Sequence, residues 1–336
     1  MKRFKKILGR NETYLAAIII IYSVVVSIVN PAFLSFENFF DMLRASSGTM
    51  ILAMGVLVVL LSGGIDVSFT AIAIAGGYVA ARLMLTWKID NLAFAFLISC
   101  GLGVLLGAVN ALIIHYFKLP TLIATLGTSS VFFGLMTTFV GTRSINAGQM
   151  PKSLLSFGAS RFFSVVSPTG NTYGLSVFIV PVVLGMCITW FILYRTMLGR
   201  GIFALGNSQE ATVRAGLNLF RIRLFTYSYV GLLAGAMGII FVSEVRWVNP
   251  VSLVGTELAV IAATVIGGAK LTGGEGTILG TVLGVTITHL LRSTLIFLGL
   301  SSSWNDFFTG IILLVSISVT SYQARLKRRR NLTFTE

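Results

Sequence analysis

The residues of this chain that could do chemistry are few, and they stand among apolar runs. Asp66 lies in "LSGGIDVSFTAIAIAGG" (61–77), Glu257 opens an apolar run, Glu275 follows Gly273 and Gly274 in "LTGGEGT", and His289 and Arg292 share another run. Ionisable groups in such surroundings point to the passage of a solute or ion, because a charge at depth is costly unless a partner or a pathway uses it. The acids Asp66, Glu257 and Glu275 could carry a coupling proton or ion. His289 and Arg292, three residues apart on one helix, face one way and could hydrogen-bond a polyol; Arg292 could instead snorkel to the outer surface. Bond-making machinery is missing: no G-x-x-x-x-G-K-[ST] phosphate loop, no H-E-x-x-H pair, and no Ser or Cys arranged about His115 or His289. No catalytic residue, metal site or cofactor of its own is expected, and any ATP, with its Mg, is hydrolysed on another chain. Cys100 and Cys187 sit in apolar stretches without CxxC spacing and read as packing residues.

Asp66 fits two roles. Gly63 and Gly64 let the chain turn, and the carboxylate then caps the helix that begins near Val67. Alternatively the broken helix lines a pathway, where irregular backbone is tolerated, and Asp66 bonds substrate hydroxyls or holds a gate. Gly273, Gly274 and Glu275 echo the same pattern, with Glu275 as a cap for a helix over 276–298 and Lys270 as its partner across the turn. Asn110 is expected to make one interhelical hydrogen bond, and His115 to sit at an interface beside Tyr116 and Lys118.

The elements that must position these residues are membrane spans. Of the 336 residues 55% are hydrophobic and 11% charged, and the mean hydropathy is +0.91, more apolar matter than one water-soluble core can hide. A span needs about 20 apolar residues. Candidates fall near 13–34, 48–62, 67–85, 92–115, 120–141, 175–194, 223–243, 256–269, 276–298 and 304–321, which makes about ten by that criterion. The expected fold is an all-α polytopic membrane protein with broken or half helices, one transmembrane domain over 1–336; the short runs at 48–62 and 256–269, each followed by a Gly-Gly break, read as tilted, half-length or extended into the glycine motif. The first run is too long for a signal peptide and lacks an A-x-A site, so it is expected to be retained.

Charge sets the orientation. The net charge of +14 gathers at the chain ends and in the loop 195–222, with no basic face studded by aromatics, so a positive-inside bias explains it and nucleic-acid binding does not. Both termini, "ARLKRRR" included, are expected in the cytoplasm. The 195–222 loop carries Arg195, Arg200, Arg214 and Arg221 and is placed inside; the 142–174 loop, with Arg143, Lys152 and Arg161, is placed outside. Within the inner loop, "NSQEATVRAGLN" reads as a short helix with Asn207 or Ser208 as N-cap, Glu210 in the first turn, Arg214 near the end and Gly216 as the stop. Its apolar residues are too small and few to anchor it in lipid, which favours docking to a cytoplasmic partner.

Four stretches taken together, "LSGGIDVS", "LPTLIATLGT" (119–128), "GRGIFALGNSQEATVRAGLN" (199–218) and "VIGGAKLTGGEGTILGTVLG" (265–284), resemble the permease subunit of ribose-type ABC importers. The resemblance runs the length of the chain in order. It departs at "DVSFTAI", where the family usually carries a Gly or Ser pair and this chain has Phe69 and Thr70. It implies a bacterial cytoplasmic (inner) membrane protein that takes up pentoses, hexoses or related polyols such as autoinducer-2. It also implies a second permease chain, identical or paralogous, an extracytoplasmic sugar-binding protein and a tandem ATPase. The helix with Asn207, Ser208, Glu210, Arg214 and Gly216 would then be the ATPase-coupling helix, and Gly63, Gly64, Asp66, Gly273, Gly274, Glu275, His289 and Arg292 the pathway and gate candidates. The rival expectation is an ion-coupled secondary transporter using Asp66, Glu257 or Glu275.

Overall fold

The computed structural model describes residues 11–167, 170–297 and scattered positions from 301 to 318. The basic residues before Asn11, most of the run at 304–321 and the "ARLKRRR" tail lie outside the described residues. Helix α1 (Asn11–Val29) ends where Asn30 accepts the Ala32 N–H and Pro31 starts a short 3₁₀ turn. Ser35 then caps α2 (Phe36–Leu61) by accepting the Asn38 N–H at 3.1 Å. The expected short span at 48–62 is therefore corrected to a 26-residue helix. Its first three turns carry Glu37, Asn38, Asp41 and Arg44, polar groups that hide a helix from a hydropathy criterion while Ser35 supplies the start signal.

Helix α3 (Phe69–Trp87) ends on Lys88 in the left-handed region (φ 55), and α4 (Leu92–Phe117) starts from the Asn91 cap. Helix α5 (Thr121–Leu135) continues as a π turn over Met136–Val140. The 142–174 loop holds α6 (Lys152–Ala159) and a hairpin of β1 (Val165–Val166) with β2 (Thr172–Tyr173). After α7 (Ile179–Arg195) the chain bends by 75° into α8 (Met197–Asn207), followed by α9 (Gln209–Arg214), α10 (Leu219–Val245), α11 (Glu257–Ile266) and α12 (Ile278–Phe297).

Seven of these helices are long and apolar enough to cross a membrane, eight with the bent α7–α8 pair. The protein is thus all-α and polytopic. Helix α11, with 10 residues, is only about 15 Å long at 1.5 Å per residue, half a hydrocarbon layer. The core is built around α10, which packs on α4, α3 and α2. Gly103 and Gly231 allow the α4–α10 approach: a Cβ on either would land on the other's carbonyl oxygen. Close backbone contact of this kind is how apolar helices gain packing energy without a hydrophobic driving force.

Successive helices alternate in direction, so the connections sort to two ends. At one end Gly274 N–H donates to the Leu61 carbonyl at 3.0 Å, joining 62–68 to 267–277; the 118–120 turn and α8–α9 meet there too. At the other end Asp90 accepts the Ser153 N–H at 2.8 Å, Tyr78 donates to the Arg143 carbonyl at 2.7 Å, and Ile145 pairs with Val248. The hydrogen bonds from Ser153 hold the Asp90 carboxyl below the usual carboxylate range. Connections 88–91, 141–178 and 246–256 thus form one layer.

Candidate functional site

The candidate residues divide between the two ends. At the first, both glycine breaks converge on a third glycine. Gly63 (φ +78), Gly273 (φ +92) and Gly274 (φ +75) adopt backbone conformations that L side chains rarely take. Gly206, near the end of α8, lies between them: a Cβ there would fall on the Leu61 carbonyl oxygen and 2.6 Å from the Gly274 nitrogen. A Cβ on Gly273 would lie 2.7 Å from the Gly63 Cα. Segments far apart in sequence therefore touch backbone to backbone. Asn207 packs its amide against Gly274 and donates to the Phe203 carbonyl, so it closes α8 and does not cap α9. Ser208 is the cap, accepting the Ala211 N–H at 3.2 Å.

Helix α9 packs by one face on α8, which carries Gly206 into the knot. Thr212 is 1% exposed and donates to the Ser208 carbonyl, while Glu210 and Arg214 are exposed and 3.9 Å apart. Gly216 (φ +76) ends the element. An exposed i,i+4 pair contributes only about 0.3–0.5 kcal/mol, so these two side chains are free for other contacts.

Asp66 is 3% exposed. Its Oδ1 accepts both the Ser68 N–H and the Ser68 hydroxyl at 2.7 Å, and Ser68 Oγ accepts from Asn110 Nδ2 at 2.6 Å. The carboxylate organises the turn before α3, and Asn110 makes its interhelical bond to that turn. Thr121 and Thr125 of α5 take up the N–H groups of Ile65 and Val67 at 2.9 and 3.2 Å. Asp66 Oδ2 and Asn110 Oδ1 are buried without partners among the described residues.

The other two acids are engaged elsewhere. Glu275 lies 2.5 Å from the Lys270 ammonium at a partly exposed turn, a pair of modest value. It does not cap the next helix: Thr277 does, accepting the Gly280 N–H at 3.0 Å, and α12 begins at Ile278. Glu257 accepts from Thr70 at 2.6 Å, giving the departing residue in "DVSFTAI" a partner on α11. Thr256 turns back to the Leu253 carbonyl and caps nothing. His115 packs on Tyr116 and Phe220.

His289 and Arg292 lie apart from the knot, toward the other end. They line a cavity of about 290 Å³ with Thr49, Glu244, Thr256 and Thr288, and an adjoining one of about 510 Å³ with Asp41 and Asn38. His289 Nε2 is 3.0 Å from Thr49 Oγ1. The lining mixes donors and acceptors on an apolar wall, the chemistry that suits a hydroxylated solute. Sequence reading missed Glu244, Asp41 and Thr49. A carboxylate directly after the apolar run 223–243 is the available signal for Glu244.

A family described as "branched-chain amino acid transport system / permease component" matches residues 38–317. The ribose import permease protein of Haemophilus influenzae is 31% identical over 318 residues, 94% of each chain. That of Escherichia coli K12 is 32% identical over 319 residues, 94% of this chain and 95% of the relative. The autoinducer 2 import system permease protein of Yersinia pseudotuberculosis is 30% identical over 323 residues, 95% of this chain and 86% of the relative. No solved structure matches. With seven or eight apolar helices of spanning length among the described residues and bacterial relatives matched over nearly the whole chain, this is a multi-pass protein of the bacterial inner membrane. The chain belongs to the permease family of ABC importers, in its ribose-type branch.

Proposed function

We propose that the chain carries a sugar or sugar-like polyol into the cell, fed by an extracytoplasmic binding protein and driven by ATP hydrolysed on a separate subunit. The observation that carries this reading is the likeness, over nearly the whole chain, to permeases named for ribose and autoinducer-2 import. In this reading about ten crossings leave both termini in the cytoplasm. Support comes from the bent segment 195–223, where Arg195, Arg200, Arg214, Arg221 and Arg223 gather at the end with the glycine knot, against Arg143, Lys152 and Arg161 in the longer 142–174 loop at the other end. The cavity with His289 and Arg292 then opens toward the outside and receives the sugar, and α9 meets the ATPase. A second permease chain, identical or paralogous, completes the pathway. Weak binding suits such a cavity, since a tight site would trap its cargo.

The knot offers the coupling route. Helices α8 and α9 are continuous with Gly206, which touches both membrane breaks, so a force on α9 reaches 62–66 and 271–275 through backbone contacts. The test is the double variant Glu210→Ala/Arg214→Ala. Both side chains are exposed, so thermal stability should stay within about 0.5 kcal/mol of wild type. ATPase stimulation by the sugar-binding protein in a co-purified complex should fall by about tenfold or more, by loss of the two charged contacts. Unchanged stimulation would remove α9 from the coupling route. Uptake that collapses with an uncoupler while ATP is maintained would overturn the ATP-driven reading itself.

For the cavity, His289→Leu and Arg292→Leu should each lower uptake by roughly tenfold, the scale of one hydrogen bond to a charged or buried group. Basal ATPase activity of the complex should be unchanged. A loss of basal activity in step with uptake would assign these residues to assembly instead.

A further inference from the structure

A third cavity, of about 880 Å³, lies at the knot end, away from His289 and Arg292. Its charged lining is Lys118, at the left-handed turn after α4 (φ 51), and Arg223, on the first turns of α10. Among the described residues no Asp or Glu lines it. Arg223 reaches the α8–α9 junction, donating to Gln209 Oε1 at 2.9 Å. Tyr227, one turn further along α10, is 2% exposed and also lines the cavity. Its hydroxyl lies against Thr121 without a hydrogen bond of good geometry among the described residues, and Gly64 leaves it room, since a Cβ there would be 2.7 Å away. The acidic group that Tyr227 feels is Asp66, which is buried and outside the lining.

Two cations and a buried hydroxyl form a donor set with no carboxylate among the described residues that line the cavity. Charge-assisted hydrogen bonds to oxygen anions are strong, and an Arg fork suits a phosphate. An unanswered buried donor is also costly. We infer that this cavity binds a phosphate group. Its size admits a phosphomonoester larger than the bare ion, and its position between Gln209, the 118–122 turn and Gly63–Gly64 would let an occupant hold α9 against the knot. The side of the membrane, though not the site, rests on the transport reading. In the cytoplasm the two sources of that chemistry are a soluble sugar phosphate, the product of a kinase acting on imported sugar, and an anionic lipid headgroup.

The test uses the full chain purified in detergent, without ATPase or binding protein, so it is independent of transport. Thermal unfolding is followed against ribose 5-phosphate, against ribose at matched ionic strength, and against phosphatidylglycerol compared with phosphatidylcholine. Saturable stabilisation by ribose 5-phosphate but not ribose is expected, weakened about tenfold or more by Arg223→Gln and by Lys118→Gln. Tyr227→Phe should weaken it less. Stabilisation by phosphatidylglycerol alone, lost in the same variants, would assign the headgroup as the source. No stabilisation by either probe, or equal responses in wild type and variants, overturns the site. If Arg223→Gln fails to fold, the exposed Lys118 still decides the matter.

Discussion

Replacing Gly206 with alanine is expected to reduce uptake at least about tenfold and to destabilise the purified chain by about 1–3 kcal/mol, the usual cost of overpacking. The added methyl would meet the Leu61 carbonyl oxygen and the Gly274 nitrogen. Both are backbone atoms, so no flexible side chain can yield. The nitrogen is also the donor of the 3.0 Å bond to Leu61 that joins the two membrane breaks. Relief requires either α8 to separate from the end of α2 and the 267–277 connection or the Gly274–Leu61 bond to open, and either change loosens α9 from the knot. Gly127→Ala is the control: this helical glycine has nothing within 4 Å of a built Cβ, and alanine there should be neutral or add up to about 1 kcal/mol through helix propensity. Thermal unfolding in detergent and uptake in cells measure the two effects. If Gly206→Ala behaves like Gly127→Ala, the three glycines are not in the contact described.

The second large effect is expected at Asp66. Alanine there leaves the Ser68 N–H and hydroxyl without their acceptor and, through Ser68, loosens the tie to Asn110. Two donors stranded in a buried site predict a loss of about 2–5 kcal/mol, at 1–3 kcal/mol each with some relaxation. Asparagine keeps an oxygen in the Oδ1 position and places an amide donor where Oδ2 has no partner. Asp66→Asn should therefore stay within about 1 kcal/mol of wild type. The contrast separates turn geometry from charge. Normal uptake in Asp66→Asn would limit Asp66 to organising the turn, whereas normal stability with uptake lost would mean that its charge serves transport.

Local signals in the chain announced much of this. Gly63, Gly64, Gly273 and Gly274 mark places where a helix must stop, because positive φ and close backbone approach suit a residue without a Cβ. Ser208, Glu210 and Gly216 delimit α9 by capping rules that act within one turn. The start of α2 escaped a hydropathy reading, since Glu37, Asp41 and Arg44 look like loop residues until their neighbours in space are known. The cap assigned to Glu275 failed for a similar reason: Lys270 competed for that side chain, and Thr277 served as the cap for α12.

Composition and the spacing of apolar runs sufficed to determine an all-helical membrane protein, its breaks and the short polar helix between two runs, because hydrophobic run length and helix signals are properties of neighbouring residues. Only the tertiary structure decided that Gly63, Gly206 and Gly273 meet, that Thr70 answers Glu257, and that His289 joins Thr49 and Glu244 in a cavity at the end away from the knot. Those contacts join residues that no periodicity relates. They exist because small residues let helix backbones approach, and the energy of that approach depends on which helices come together rather than on the order of residues along any one of them.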